Sequence, residues 1–218
     1  MRLVKLGAGL NHIVNMDLIN PTSIIIDAGA NVGAFIEKMR TLTDSKIYAI
    51  ECSSRNCATI KNKNFENIEI IEKALVGNND GPVTFTEYSG VLKPNYAAPA
   101  GQISRHRYHQ WSNILGNHRD KFANNSSVKT EQYEVVPVTL SELIEQYDLK
   151  SIDYLKMDIE GAEYDVFEHM TRKETDIIKQ ISLEVHDKNK NKSLFAKIRE
   201  LGFVVRELED NEVYAYRK

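Results

Sequence analysis

"IIIDAGANVGAFIEKM", residues 24–39, is the stretch that decides the fold. Three successive isoleucines read as a strand buried on both faces, the pattern of a parallel sheet rather than of one with a wet side. Asp27 follows that run, and Gly29 and Gly33 allow a tight turn. Val32, Phe35, Ile36, Met39 and Leu42 then recur at helical spacing. A strand, a glycine turn and a helix open a βαβ unit.

"KIYAIE" (46–51) supplies the second strand of that unit, before a helix that Ser53 or Ser54 can cap. The alternation continues, with "IEIIEKAL" (68–75) as a third strand, "IDYLKMD" (152–158) as a fourth and "IKQISLEVH" (178–186) as a fifth. Helices are expected after Thr139 or Ser141, from Gly161, and near Ser193 as far as Gly202. "FVVRELEDNEVYAY" (203–216) reads as a terminal hairpin. The order predicts an α/β, doubly wound, mostly parallel sheet to which the hairpin adds one antiparallel strand.

At 218 residues the chain suits one domain with an insert, the irregular stretch from about 88 to 131. With 28 Lys and Arg against 31 Asp and Glu, the chain as a whole lacks the charge of a nucleic-acid or anionic-membrane binder. "MRLVKLGAGLNHIVNM" has no sustained apolar run, and no later stretch approaches a membrane span. Cys52 and Cys57 match neither a disulfide framework nor a zinc motif. These features together predict an unprocessed cytoplasmic protein with no membrane partner.

Ligands of such sheets lie beyond the carboxyl ends of the strands. A dinucleotide site favours G-x-G-x-x-G, whereas here the turn begins on a carboxylate, Asp27, which repels pyrophosphate and attracts an ammonium. Glu51, about 20 residues after the turn, can accept two ribose hydroxyls. A cationic, phosphate-free ligand with a ribose is thereby described, and S-adenosylmethionine fits. Alternation along the fourth strand puts Tyr154, Lys156 and Asp158 on one face, with Asp158 at its carboxyl end and Lys156 available as an ion-pair partner of Asp158 or Glu160.

"DAGANVG", "YAIE", "EKALVGNNDG", "LKMDIEGAEYDVF" and "ISLEVH", in that order, resemble the FkbM-type S-adenosylmethionine-dependent methyltransferases. The resemblance covers roughly 23–86 and 133–208. It implies a class I methyltransferase fold, a Rossmann-like seven-stranded sheet with its last strand antiparallel, and O-methylation of sugar or natural-product hydroxyls. By position it implies that Asp27, Gly29, Asn31 and Gly33 surround the methionine portion, that Glu51 holds the ribose, and that Cys52 and Ala74 line the adenosine. Cys52 departs from the proline that often follows the acid in relatives.

An alcohol acceptor needs a base or a metal ion. Glu184 and His186 share one face of the fifth strand, and with Asp158 they are the candidate catalytic residues; His186, titrating near pH ~6.5, is the first choice for base. Asp158 with Glu184 or Asp187 offers oxygen ligands to a magnesium-like cation, an arrangement ranked below a metal-free reaction. Between 101 and 130 five cations face one acid, with aromatic residues interleaved. Arg105, Arg107 and Trp111 are therefore candidates for acceptor recognition in a lid, and the same insert suits a homodimer contact. The leading expectation is an O-methyltransferase acting on a saccharide or other small hydroxylated molecule. RNA ribose methylation and a non-catalytic nucleotide-binding module stand as alternatives.

Overall fold

The computed structural model describes residues 1–7, 10–90, 111–113, 128–185, 191–208 and 211–217. The chain begins with an antiparallel hairpin, β1 (Leu3–Gly7) and β2 (Leu10–Asn15). The first βαβ unit follows as β3 (Ile24–Ala28), α1 (Ala34–Arg40) and β4 (Lys46–Ile50). Next come α2 (Ser54–Asn62), which Ser53 caps by accepting from the Asn56 N–H, and β5 (Ile68–Ile71). The third predicted strand is thus divided. After a break at Glu72 and Lys73, β6 (Ala74–Leu75) leaves the main sheet and pairs with β10 (Pro137–Val138).

The predicted irregular stretch is more regular at its ends than its polarity suggested. β7 (Val83–Gly90) pairs antiparallel with β9 (Val128–Val135) and β8 (Trp111–Asn113), so the insert departs from a β ribbon. Residues 91–110 and 114–127, which hold Arg105 and Arg107, lie outside the described residues.

Beyond the ribbon the α/β alternation returns. α3 (Leu140–Gln146) opens on a capping box between Thr139 and Glu142, then β11 (Tyr154–Met157) and α4 (Glu163–His169) follow. The last elements are α5 (Arg172–Thr175), β12 (Gln180–Glu184), α6 (Asn191–Glu200), β13 (Val204–Glu207) and β14 (Glu212–Tyr216). Among the described residues no helix is long and apolar enough to cross a membrane.

Seven strands form the central sheet in the order β5-β4-β3-β11-β12-β14-β13, and β14 runs antiparallel to both of its neighbours. Strand order reverses between β3 and β11, which places a ligand-binding crevice at the carboxyl ends of those two strands. Side-chain alternation divides the core. Ile26, Ala28, Leu155, Met157, Ile181 and Leu183 pack on one face with residues of α3, α4 and α6. Ile25, Ile47, Ala49 and Tyr154 pack on the other with α1, Ile60 of α2, and Leu6 and Val14 of the N-terminal hairpin.

That hairpin was not foreseen, and polar contacts fix it. Asn15 N–H donates to Gln180 Oε1 at 2.8 Å, and Ile13 N–H donates to Ser182 Oγ at 3.2 Å. His12 Nδ1 meets Glu212 Oε2 at 3.1 Å, with both side chains buried. The first two strands therefore cover β12 and β14 on one face.

Candidate functional site: the glycine turn and its cleft

The glycine turn is built from hydrogen bonds to the next strand. Gly29 and Ala30 N–H groups both donate to Ile50 O at 3.0 Å, Asn31 N–H donates to Glu51 Oε2 at 2.7 Å, and Gly33 N–H donates to Ala30 O at 2.8 Å. A turn that cradles phosphate turns its N–H groups outward. Here four of them are engaged internally, which suits a phosphate-free ligand. Gly29 has φ +78°, and Asn31 is also left-handed at φ 49°. Gly33, at φ +82°, caps α1 and packs against Ile60 and Phe65.

Glu51 stands at the end of β4 with a carboxylate that two backbone groups orient. Oε1 accepts from Ser53 N–H at 2.8 Å and Oε2 from Asn31 N–H. The Asn56 side chain also bonds this carboxylate, and a ligand hydroxyl takes the remaining lone-pair direction or displaces that amide. Burial raises the carboxyl above its ordinary range, against the pull of those two N–H donors.

Asp27 takes a different position from the one its sequence context suggested. It is fully buried and does not line the cleft. Its register partner across the β3–β11 pair is Lys156, whose Nζ lies 3.1 Å from Asp27 Oδ1 without hydrogen-bond geometry. Lys156 Nζ donates instead to Gly29 O at 2.7 Å and Ala28 O at 3.2 Å. Burial works against the charge of this ammonium, but Asp27 and Asp158 outweigh it and the Lys156 pKa is raised. The amino-group attraction assigned to Asp27 is thus largely answered within the protein.

The second wall of the cleft is the turn after β11. Asp158 N–H donates to Ala28 O at 3.1 Å, and the Asp158 carbonyl fills the space beside Gly29. Glu160 is left-handed at φ 56° and Gly161 follows at φ +104°. The carboxylate of Glu163, wholly buried, holds this turn by accepting from Ile159 N–H at 2.8 Å and Gly161 N–H at 2.9 Å. Neither Asp158 nor Glu160 caps α4, whose N-cap is Ala162.

Between these walls lies an open cleft at the carboxyl ends of β3 and β4. Gly29, Asn31, Glu51, Cys52, Ala74 and Asp158 line it, so six of the eight cofactor candidates converge there. Asp27 and Gly33 support it from behind. Sequence reasoning missed Asn56, Leu75, Phe85 and Ile159, which also line it. A helical asparagine five residues after the strand-end acid was the only available signal for the first of these. The residues fit S-adenosylmethionine. Glu51 offers acceptors for the ribose, and Ile50, Leu75 and Phe85 offer an apolar wall for a base. The buried Oδ1 of Asn56 has no hydrogen-bond partner while its side chain also bonds Glu51.

The catalytic candidates are less closely gathered. Asp158 is about a third exposed and lines the cleft. Glu184 stands one strand away, since Leu183 pairs with Met157, and it does not line the cleft. His186 and Asp187 fall outside the described residues, and Trp111 is placed only as part of β8. Among the described residues no group of three His, Cys, Asp or Glu side chains is placed to hold a metal ion.

Comparison with known proteins agrees with this geometry. Residues 27–210 match the FkbM methyltransferase domain. Methyltransferase 1 of Beauveria bassiana (strain ARSEF 2860) is 27% identical over 192 residues, covering 84% of this chain and 73% of that protein. Precorrin-6y C5,15-methyltransferase of Geobacter metallireducens GS-15 is similar in structure with a TM-score of 0.45 and 12% identity, over 91% of this chain and 83% of that one. A Streptococcus mutans methyltransferase in complex with SAH has a TM-score of 0.45 and 11% identity, over 93% and 92% of the two chains. These structural likenesses are distant, and the fold assignment rests on strand order. The family match spans most of the chain, from the acid of the glycine turn to the terminal hairpin, and the protein is a member of the FkbM family of S-adenosylmethionine-dependent methyltransferases.

Proposed function

We propose that the protein transfers the methyl group of S-adenosylmethionine to a hydroxyl of a saccharide or similar small molecule. The observation that carries this reading is the acidic lining of the cleft. Asp158 and Glu160 stand with Glu51, and Lys73 is the single cation among the described lining residues. Carboxylates hydrogen-bond neutral hydroxyls well and repel phosphate groups. Two free cysteines, Cys52 and Cys57, suit the reducing cytoplasm as its location.

When bound, S-adenosylmethionine supplies an electrophilic methyl group on a sulfonium. The chain's part is to hold an acceptor oxygen in line with it and to manage one proton. We assign the ribose to Glu51, with Asn31 orienting that carboxylate, and the adenosine wall to Cys52 and Ala74. Asp158, at the switch point beside Gly29, is assigned to the methionine amino group or the acceptor hydroxyl. The base is assigned to His186, with Glu184 as its companion, from the alternation of "ISLEVH" in the sequence. Acceptor recognition is assigned to Arg105, Arg107 and Trp111, because the ribbon that bears the insert is rooted at the cleft through Phe85.

A labelled-methyl assay over glycans, small alcohols and RNA, each with and without a chelator, tests this reading. Label on a glycan or small-molecule hydroxyl is the expected result. Label on RNA alone, or on nitrogen or carbon, overturns the acceptor assignment, and loss of labelling with the chelator overturns the metal-free preference.

A further inference from the structure

Lys156 is a buried cation that no step above uses. An ion pair with Asp27 accounts for its charge but not for its contacts. The ammonium has three N–H groups, and three oxygens surround it: Gly29 O at 2.7 Å, Ala28 O at 3.2 Å and Asp27 Oδ1 at 3.1 Å. Asp158 Oδ2 is farther, at 3.9 Å. Two of the three nearer oxygens belong to the backbone of the cofactor turn, one of them to Gly29, which lines the cleft. On the other side of that turn, Gly29 and Ala30 N–H groups are tied to Ile50 O. The peptide units on either side of Cα29 are therefore gripped from both neighbouring strands, the carbonyls by Lys156 on β11 and the N–H groups by β4.

We propose that Lys156 is the positioning residue of the cofactor turn: its buried ammonium clamps the Ala28 and Gly29 carbonyls in the conformation that opens the turn toward the cleft, and Asp27 keeps that ammonium in place. Asp27 thus acts on the ligand through Lys156. The affinity part of this proposal rests on the cofactor reading; the clamp itself does not.

The competing account is that Lys156 only neutralises a buried aspartate. The two accounts separate in the double variant Asp27→Asn/Lys156→Met, compared with Asp27→Asn alone. Removing both charges avoids stranding one of them, so the comparison survives if Lys156→Met by itself fails to fold. Binding of S-adenosylhomocysteine is measured by calorimetry, and amide hydrogen exchange is followed at Gly29 and Ala30 without ligand. The clamp predicts that Lys156→Met in the Asp27→Asn background weakens binding by about tenfold or more, the worth of hydrogen bonds from a charged donor. It also predicts faster exchange at Gly29 and Ala30, with the β12–β14 ladder unchanged. A double variant equal to Asp27→Asn in both measurements overturns the proposal. If the wild-type protein binds no S-adenosylhomocysteine, the cofactor reading fails, and the exchange rates still decide the clamp.

Discussion

Gly29→Ala is expected to abolish binding of S-adenosylhomocysteine and to lower the melting temperature by several degrees or more. An added Cβ would lie 1.8 Å from the Asp158 carbonyl oxygen and 2.8 Å from its carbon. Neither side can move aside easily. Asp158 N–H is bonded to Ala28 O, and Glu163 holds the residues that follow, so the carboxyl ends of β3 and β11 must part. The left-handed backbone costs an alanine about 1–2 kcal/mol and overpacking about 1–3 kcal/mol more. At roughly 2–4 °C per kcal/mol for a chain of this length, the loss is large enough to read in a thermal melt. Gly161→Ala is the control. Its φ is +104°, but nothing lies within 4 Å of the added Cβ, so it bears the backbone strain alone. Equal melting temperatures and affinities for the two variants would contradict the interlocked turns described above.

Glu51→Gln is expected to weaken S-adenosylhomocysteine binding by about a hundredfold or more, because two hydrogen bonds to a charged acceptor contribute about 1.5–3 kcal/mol each. The substitution keeps the shape of the side chain but turns one acceptor into a donor that faces either Asn31 N–H or Ser53 N–H. A pH titration of the wild-type protein supplies an independent check. Burial raises the Glu51 carboxyl, so the folded state favours the protonated form more than the unfolded chain does. Ionisation as pH rises through that raised value therefore costs stability in the free protein. The ribose hydroxyls need the ionised acceptor, so affinity should fall on acidification, beginning above the ordinary glutamate range. An affinity that stays level in the wild type, or that falls in the same way in Glu51→Gln, would remove Glu51 from the ribose site.

The βαβ core was legible because its signals are local. Ile24 to Ile26 marked a strand buried on both faces, and the interval from Gly29 to Glu51 set an acid beside the turn. The partner of Lys156 was not legible. The sequence offered it Asp158 and Glu160 as ion-pair partners, yet the register of β11 against β3 sets it opposite Asp27. That same non-local pairing removed Asp27 from the cleft and left the acidic lining to Glu51, Asp158 and Glu160. The N-terminal hairpin escaped notice because its strands are short and mixed, and their burial depends on Ser182, Gln180 and Glu212, far along the chain. Lys73 sits where the third strand breaks, a kink that its apolar pattern concealed.

The most direct test of the central claim is a calorimetric titration of S-adenosylhomocysteine into the wild-type protein. The account predicts one site per chain with an affinity in roughly the micromolar range. An absence of binding at millimolar ligand, in a protein that melts cooperatively, would contradict it.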